Sequence, residues 1–192
     1  MRTLLQGLLD LFRGRVLDVG AGAGIHTLLL QEEGCDVSAI DICPEAVSIM
    51  RDRGVADVHL GDIMSLENET FDTLLMMGHN IGMVETLDKL EPFLRHARTI
   101  TAPDGQILLT SKDVRITDEP VFLAYQQRNV EAGRFIGEVR ISMEYGGIRG
   151  PLFSWLHVDS ETLAAHAART GWQIGVVKKQ PDGNYMAQLR RD

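Results

Sequence analysis

The stretch VLDVGAGAG at residues 16–24 limits the fold more than any other part of the chain. Val16, Leu17 and Val19 make a short apolar strand, and Gly20, Gly22 and Gly24 then leave no room for a continued strand or an immediate helix. A glycine-rich turn between a strand and a helix lets a ligand approach the backbone closely. The helix start beyond it offers N–H groups to that ligand. The third glycine falls at position 24; the G-x-G-x-x-G spacing of nicotinamide-binding loops would put it at Ile25. The residues alone therefore point to a nucleotide-like ligand at the carboxyl edge of a strand set.

The rest of the chain supplies that set. IHTLLLQEEG reads as a helix stopped by Gly34, DVSAIDI as a second strand, and CPEAVSIMRDRG as a helix with Pro44 in its first turn and Gly54 at its end. ADVHLGD and FDTLLMMG are a third and a fourth strand, residues 84–100 a helix, 102–105 a turn, and QILLTS a fifth strand. Such an alternation of apolar strands and helices predicts an α/β fold with a doubly wound, mostly parallel sheet. Ahead of it, Leu4, Leu5, Leu8, Leu9 and Phe12 predict an amphipathic helix within residues 1–14. Beyond Ser111 the pattern loosens. A helix is expected in DEPVFLAYQQRNVEAG, an antiparallel pair from EVRISMEY and PLFSWLHV, a helix in SETLAAHAARTG, and a closing hairpin through PDGN. With no repeat and no low-complexity linker, residues 1–192 read as a single domain.

Composition narrows the partners. The chain has 27 acidic against 19 basic residues, a formal charge of −8, and no Lys/Arg cluster. Nucleic-acid binding ordinarily uses a basic face, so a small-molecule acceptor is expected and nucleic acid is not. Cys35 and Cys43 have no metal-ligand companions at zinc spacing, so no metal is expected and both thiols read as free and at least half-buried. No secretory leader is visible, and no apolar run approaches the ~20 residues that span a bilayer. A cytoplasmic protein without a membrane partner follows, and a homodimer is compatible with the sequence.

Two acidic positions complete the ligand-binding pattern. Asp41 ends the second strand, where a carboxylate can accept from both ribose hydroxyls of a nucleoside; the alternative is a cap on the helix at Pro44. Gly61-Asp62 follows the third strand, where it can meet an adenine amino group or simply turn the chain.

In this order, VLDVGAGAG, AID, GD, FDTLLMMGHNIG and GQILLT resemble the motifs of class I S-adenosylmethionine-dependent methyltransferases. The resemblance covers most of residues 15–111 and returns at 160–191, where WQIGVVKKQ and YMAQLRR are similar to the family's reversed closing hairpin. It implies a Rossmann-like sheet with an antiparallel last strand and S-adenosylmethionine as cofactor, S-adenosylhomocysteine being the product. It further implies that Asp18, Gly20, Gly22 and Gly24 line the methionine end, that Asp41 binds ribose with Ile42 on the adenine, that Asp62 and Ile63 serve the adenine, and that Gly78 faces the reactive centre. The loop after the fourth strand lacks the signatures of the amino-DNA and cytosine C5 enzymes. Few residues precede the first strand, so the insert 112–158, a helix and β-hairpin, is expected to cover the substrate side.

Methyl transfer chiefly demands alignment of donor and acceptor, and a base where the acceptor loses a proton. His79, in the loop after the fourth strand, is the first candidate base, with Asn80 orienting the acceptor; both could instead only shape the loop. His26, in the first turn after the glycine loop, could touch the cofactor carboxylate or lie on the helix surface. Tyr125 and Arg128, three apart on the insert helix, could close on a substrate, and Trp155 and His157 could wall its pocket; each also fits plain packing. His59, His96 and His166 have no partner at ligand spacing and read as structural or exposed. A nicotinamide-dependent oxidoreductase is the competing activity, disfavoured by the glycine spacing. A non-catalytic adenosylmethionine-binding subunit is another, and would show His79 and Asn80 turned from any pocket.

Overall fold

The computed structural model describes residues 11–191, so the helix expected at residues 3–12 lies outside it but for the last two positions. Strands β1 (Val16–Val19), β2 (Val37–Asp41), β3 (Val58–Leu60) and β4 (Phe71–Met76) pair in parallel. Asp18 stands opposite Ala39 on one side and Leu75 on the other. β1 is buried at all four positions, which is why its run is apolar rather than alternating. With β5 (Thr101–Lys112), β10 (Trp172–Lys179) and β11 (Asn184–Arg191) the sheet has seven strands in the order β10-β11-β5-β4-β1-β2-β3. β11, the antiparallel last strand, thus inserts between β5 and β10, as the closing hairpin predicts.

Helix α1 (Ile25–Glu32) starts from Gly24 in the left-handed region and ends at Gly34, whose N–H donates to the Gln31 carbonyl. Helix α2 (Pro44–Asp52) carries Pro44 in its first turn and ends before Gly54 at φ 86°. Helix α3 (Leu90–Thr99) is shorter than the 84–100 expected. A helix begun at residue 84 would hold Pro92 in its interior, without an N–H for the Asp88 carbonyl. The start at Leu90 puts Pro92 in the first turn, where no such bond is required. Glu85 at φ 72° marks the break, and residues Asn80–Val84 form a separate 3₁₀ turn. The expected turn at 102–105 lies within β5. Asp104 takes φ 64° there, and a Cβ on Gly105 would fall 2.4 Å from Cγ2 of Thr101, so the bend survives as a kink inside the strand.

Beyond β5 come α4 (Pro120–Glu131), β6 (Glu138–Ile141), β9 (Phe153–Leu156) and α5 (Ser160–Arg169). β6 and β9 form the expected antiparallel pair, Val139 opposite Trp155. At its tip lies a smaller ribbon of β7 (Glu144–Tyr145) and β8 (Ile148–Arg149), turned by Gly146 and Gly147, both at positive φ. Asp159 caps α5, its carboxylate accepting from the N–H groups of Glu161 and Thr162.

By internal contacts the chain divides into two compact units. The first holds residues up to Met77, Arg95–Leu108 and those from Leu189 on; the second holds Gly78–Leu94 and Leu109–Gln188. A cluster of Ala21, Ala39, Val47, Met50 and Val55 packs the glycine loop of the first unit onto α2. A Cβ on Gly24 would come within 2.9 Å of Met50 and Val55, so this glycine is required by space as well as by φ. Among the described residues no helix is long and apolar enough to cross a membrane.

Candidate functional site

In the first unit the parallel pairing of β1, β2 and β3 brings the segments after them to one edge. The N–H groups of Gly20 and Ala21 donate to the Ile40 carbonyl at 2.9 and 3.2 Å, folding the glycine turn against β2. Asp41 then holds two pieces of backbone at once. Its Oδ2 accepts from Gly22 N at 2.8 Å and its Oδ1 from Cys43 N at 2.9 Å. Each carboxylate oxygen has a second lone pair, so a half-exposed Asp41 can still accept from a diol. A Cβ on Gly22 would meet nothing within 4 Å, and Ile42 beside it is 72% exposed. An open backbone cradle, a carboxylate and an exposed aliphatic face suit the loop, ribose and base of a nucleoside cofactor.

The other cofactor candidates are placed differently. Asp18 is buried, and its carboxylate accepts from the Thr27 hydroxyl at 2.7 Å, tying α1 to β1. Burial pushes its pKa up, against the opposing pull of the Thr27 bond and of neighbouring His26, which is half-buried in the first turn of α1. Asp62 is exposed and caps a single 3₁₀ turn through Met64 N at 2.9 Å. Ile63 is buried, and its carbonyl lies 2.7 Å from Nε2 of His96. His59 stands 3.1 Å from Asp57 and His166 3.2 Å from Glu91. Cys35 is half-buried, but Cys43 is exposed, contrary to expectation. It stands at the N-cap of α2, where its thiol donates to Glu45 at 3.1 Å.

In the second unit Gly78 is exposed at φ 69°, and His79 follows in the left-handed region at φ 65°. A histidine there is strained backbone, retained where its surroundings over-determine it. They do: His79 N donates to the Thr110 hydroxyl at 2.9 Å, and its carbonyl accepts from Gly82 N at 2.8 Å across the turn that Asn80 opens. The His79 ring meets His157 edge to face, centroids 5.7 Å apart. His157 follows β9, its N–H donating to Gly137 O at 2.8 Å. The next residue is clamped on both sides, Val158 N to the Ser111 hydroxyl at 3.1 Å and Val158 O to Tyr185 at 2.6 Å. Nδ1 of His157 is buried without a hydrogen-bond partner among the described residues. Burial, helped by His79 and Lys112, pushes His157 down to about 4; burial and Lys112 lower His79 as well. Both imidazoles are therefore neutral near pH 7.

His157 also lines a cavity of about 370 Å³ with Lys112, Tyr125 and Arg140. Tyr125 is thus brought to it, its hydroxyl accepting from Arg140 N at 3.0 Å. Arg128 is exposed, its guanidinium over the Tyr125 ring at 5.6 Å, and does not line the cavity. Trp155 packs elsewhere, against Phe153 at 6.1 Å and so tightly on Gly82 that a Cβ there would lie 2.0 Å from its Nε1. Lys112 and Thr110 escaped the sequence reading. Their signal was position, since both lie at the carboxyl end of β5, the edge where α/β sheets place their ligands. Among the described residues no group of three or more His, Cys, Asp or Glu is placed to hold a metal ion.

Comparison with known proteins shows the family. Residues 17–109 match the family model described as a methyltransferase domain. The chain is similar to an S-adenosylmethionine-dependent methyltransferase from Bacteroides fragilis, solved with S-adenosylhomocysteine. Identity is 36% and the TM-score 0.82, over 98% of this chain and 76% of that one. Magnesium-protoporphyrin O-methyltransferase of Rhodobacter capsulatus is 36% identical over 74 residues, covering 35% of this chain and 33% of that protein. Ubiquinone biosynthesis O-methyltransferase of Xanthomonas oryzae is 30% identical over 111 residues, 54% of this chain and 45% of that protein. The chain spans between a third and a half of the length of these two curated relatives. It belongs to the S-adenosylmethionine-dependent methyltransferase family. The nicotinamide alternative falls with that membership, since the cofactor of the family is S-adenosylmethionine.

Proposed function

We propose that this protein methylates a small molecule, with the glycine turn and Asp41 as its cofactor-side residues and His79 and His157 as its proton-handling residues. The cofactor-side assignment rests on the open glycine cradle, the Asp41 carboxylate and exposed Ile42, with Asp18 and His26 beneath the loop and Asp62-Ile63 next along the edge. When bound, the cofactor supplies a methyl group activated by its positive sulfur. Asp41 orients the ribose through its free lone pairs while holding Gly22, so cofactor position and loop shape are set by one side chain.

The observation that carries the catalytic half is the His79–His157 pair. A strained backbone holds one neutral imidazole against another whose Nδ1 lacks a partner. His79 and Asn80 do not line the cavity, but His79 touches His157, which does; an acceptor that loses a proton as it gains the methyl can leave that proton on His79, with Asn80 opening the same turn. The acidic composition and the relatives named for magnesium-protoporphyrin and ubiquinone biosynthesis support a small acceptor rather than a nucleic acid.

The first experiment is calorimetric titration with S-adenosylhomocysteine, then with NADH, followed by an acceptor screen with labelled methyl donor. Binding of the homocysteine compound alone is expected. Once an acceptor is found, His79→Ala should lower kcat about 10²–10⁴-fold, the usual contribution of a general base. An unchanged kcat would remove His79 from the mechanism.

A further inference from the structure

The cavity of the second unit has a chemistry that selects among acceptors. Its walls are mainly apolar, supplied by Val114, Phe122, Ile136, Val139 and Ile141. Its charged lining is of one sign: Lys112 and Arg140 line it, and no Asp or Glu does. In a chain with 27 acidic and 19 basic residues, a binding cavity free of carboxylates runs against the composition. Lys112 is half-buried and has no carboxylate within 4 Å among the described residues. Asp182, on the β10–β11 turn, feels the charge of Lys112 but lies outside the lining. Taking an ammonium group partly out of water is costly, and Asp182 makes no ion pair within 4 Å with it, so such a lysine suits an anion that arrives with the ligand. The Tyr125 hydroxyl already accepts from Arg140 N, which leaves its hydrogen to donate into the cavity.

We propose that the cavity takes a compact apolar acid, one ring or its equivalent bearing a single carboxylate and the O–H or N–H that gives up its proton as it gains the methyl, with that carboxylate paired to Lys112 and the ring against the β6 and α4 walls. The volume of about 370 Å³ is near the lower end of the range of about 300–1,000 Å³ for ligand pockets, which suits one ring better than a long chain. His157, lining the same space, then faces the ligand with its neutral ring. The proposal rests on the reading of His79 and His157 as the proton-handling residues, and it names the acceptor class.

The test uses 3-phenylpropionate and its uncharged isostere 3-phenylpropionamide as probes, titrated into the full chain. Affinity is read by calorimetry and location by the NMR shifts of the His157 ring. The acid is expected to shift His157 and to bind about tenfold or more tighter than the amide, the range for a charged hydrogen-bond partner. Lys112→Met should abolish that preference and Lys112→Arg should keep it, with S-adenosylhomocysteine affinity unchanged in both. Equal binding of acid and amide, a preference that survives Lys112→Met, or no shift of His157 up to millimolar acid would each overturn the proposal. If Lys112→Met does not fold, the acid-against-amide comparison in the unaltered protein still decides. Failure of S-adenosylhomocysteine to bind would sink the cofactor reading and leave the acid result standing, so the two failures are distinguishable.

Discussion

His79 and His157 meet edge to face, ring centroids 5.7 Å apart at an interplanar angle of 82°, although 77 residues lie between them in the chain. The Asp182 carboxylate pulls the pKa of His79 upward, but burial outweighs it. The half-buried lysine near both pushes the other way.

From this pair follows an expected pH dependence. The unfolded chain binds a proton at His157 near the ordinary 6.5, whereas the folded protein does so only near 4. Between those values the unfolded state holds more protons, so His157 makes folding less favourable as pH falls from about 6.5 to about 4. Buried Asp18, with its raised pKa, contributes in the opposite direction. His157→Gln removes only the first effect, and the Tm of that variant should decline less than the parent's between pH 7 and pH 4. Equal declines would contradict it. For the same reason the acidic limb of kcat should lie below pH 6.5.

Asp41 is expected to matter twice, through the ribose and through Gly22. Asp41→Ala should weaken S-adenosylhomocysteine binding by about 2–3 kcal/mol, the cost of losing a charged hydrogen-bond partner. Calorimetry measures it directly, and unchanged affinity would refute the ribose assignment.

Gly82 lies under Trp155 with no space for another atom. Gly82→Ala forces the indole or the 3₁₀ turn to move, and overpacking of this kind costs about 1–3 kcal/mol. Denaturant unfolding should show a lowered midpoint. Because Asn80 opens the same turn, the acceptor KM should rise with it.

Tyr185 acts on His157 at one remove, by donating to the Val158 carbonyl at 2.6 Å in a buried setting. Tyr185→Phe leaves that carbonyl without its partner and should cost about 1–3 kcal/mol of stability. If Tyr185 is a positioning residue, the NMR shift of the His157 ring should move in this variant while S-adenosylhomocysteine affinity does not.

Much of the molecule was legible in sequence because the physics there is local. A glycine turn after an apolar strand, Pro44 opening α2, and Gly34 and Gly54 closing α1 and α2 depend on backbone conformations that few residues other than these adopt. They correctly predicted α1, α2 and the parallel set β1–β4. The period of leucines before α3 misled, since hydrophobic spacing continued past the point where Pro92 allows a helix to begin. The cofactor-side candidates could be named from sequence because they sit at strand ends only a few residues away. The acceptor side was not. That Lys112, Tyr125, Arg140 and His157 share one cavity, that Trp155 spends its surface on Gly82, and that His79 and His157 touch are consequences of long-range chain return. Sequence spacing carries local dihedral preference, and it determined the elements and their ligand-binding turns. Which distant side chains converge, and hence the charge and size of what they can hold, is decided only when tertiary packing excludes water between them.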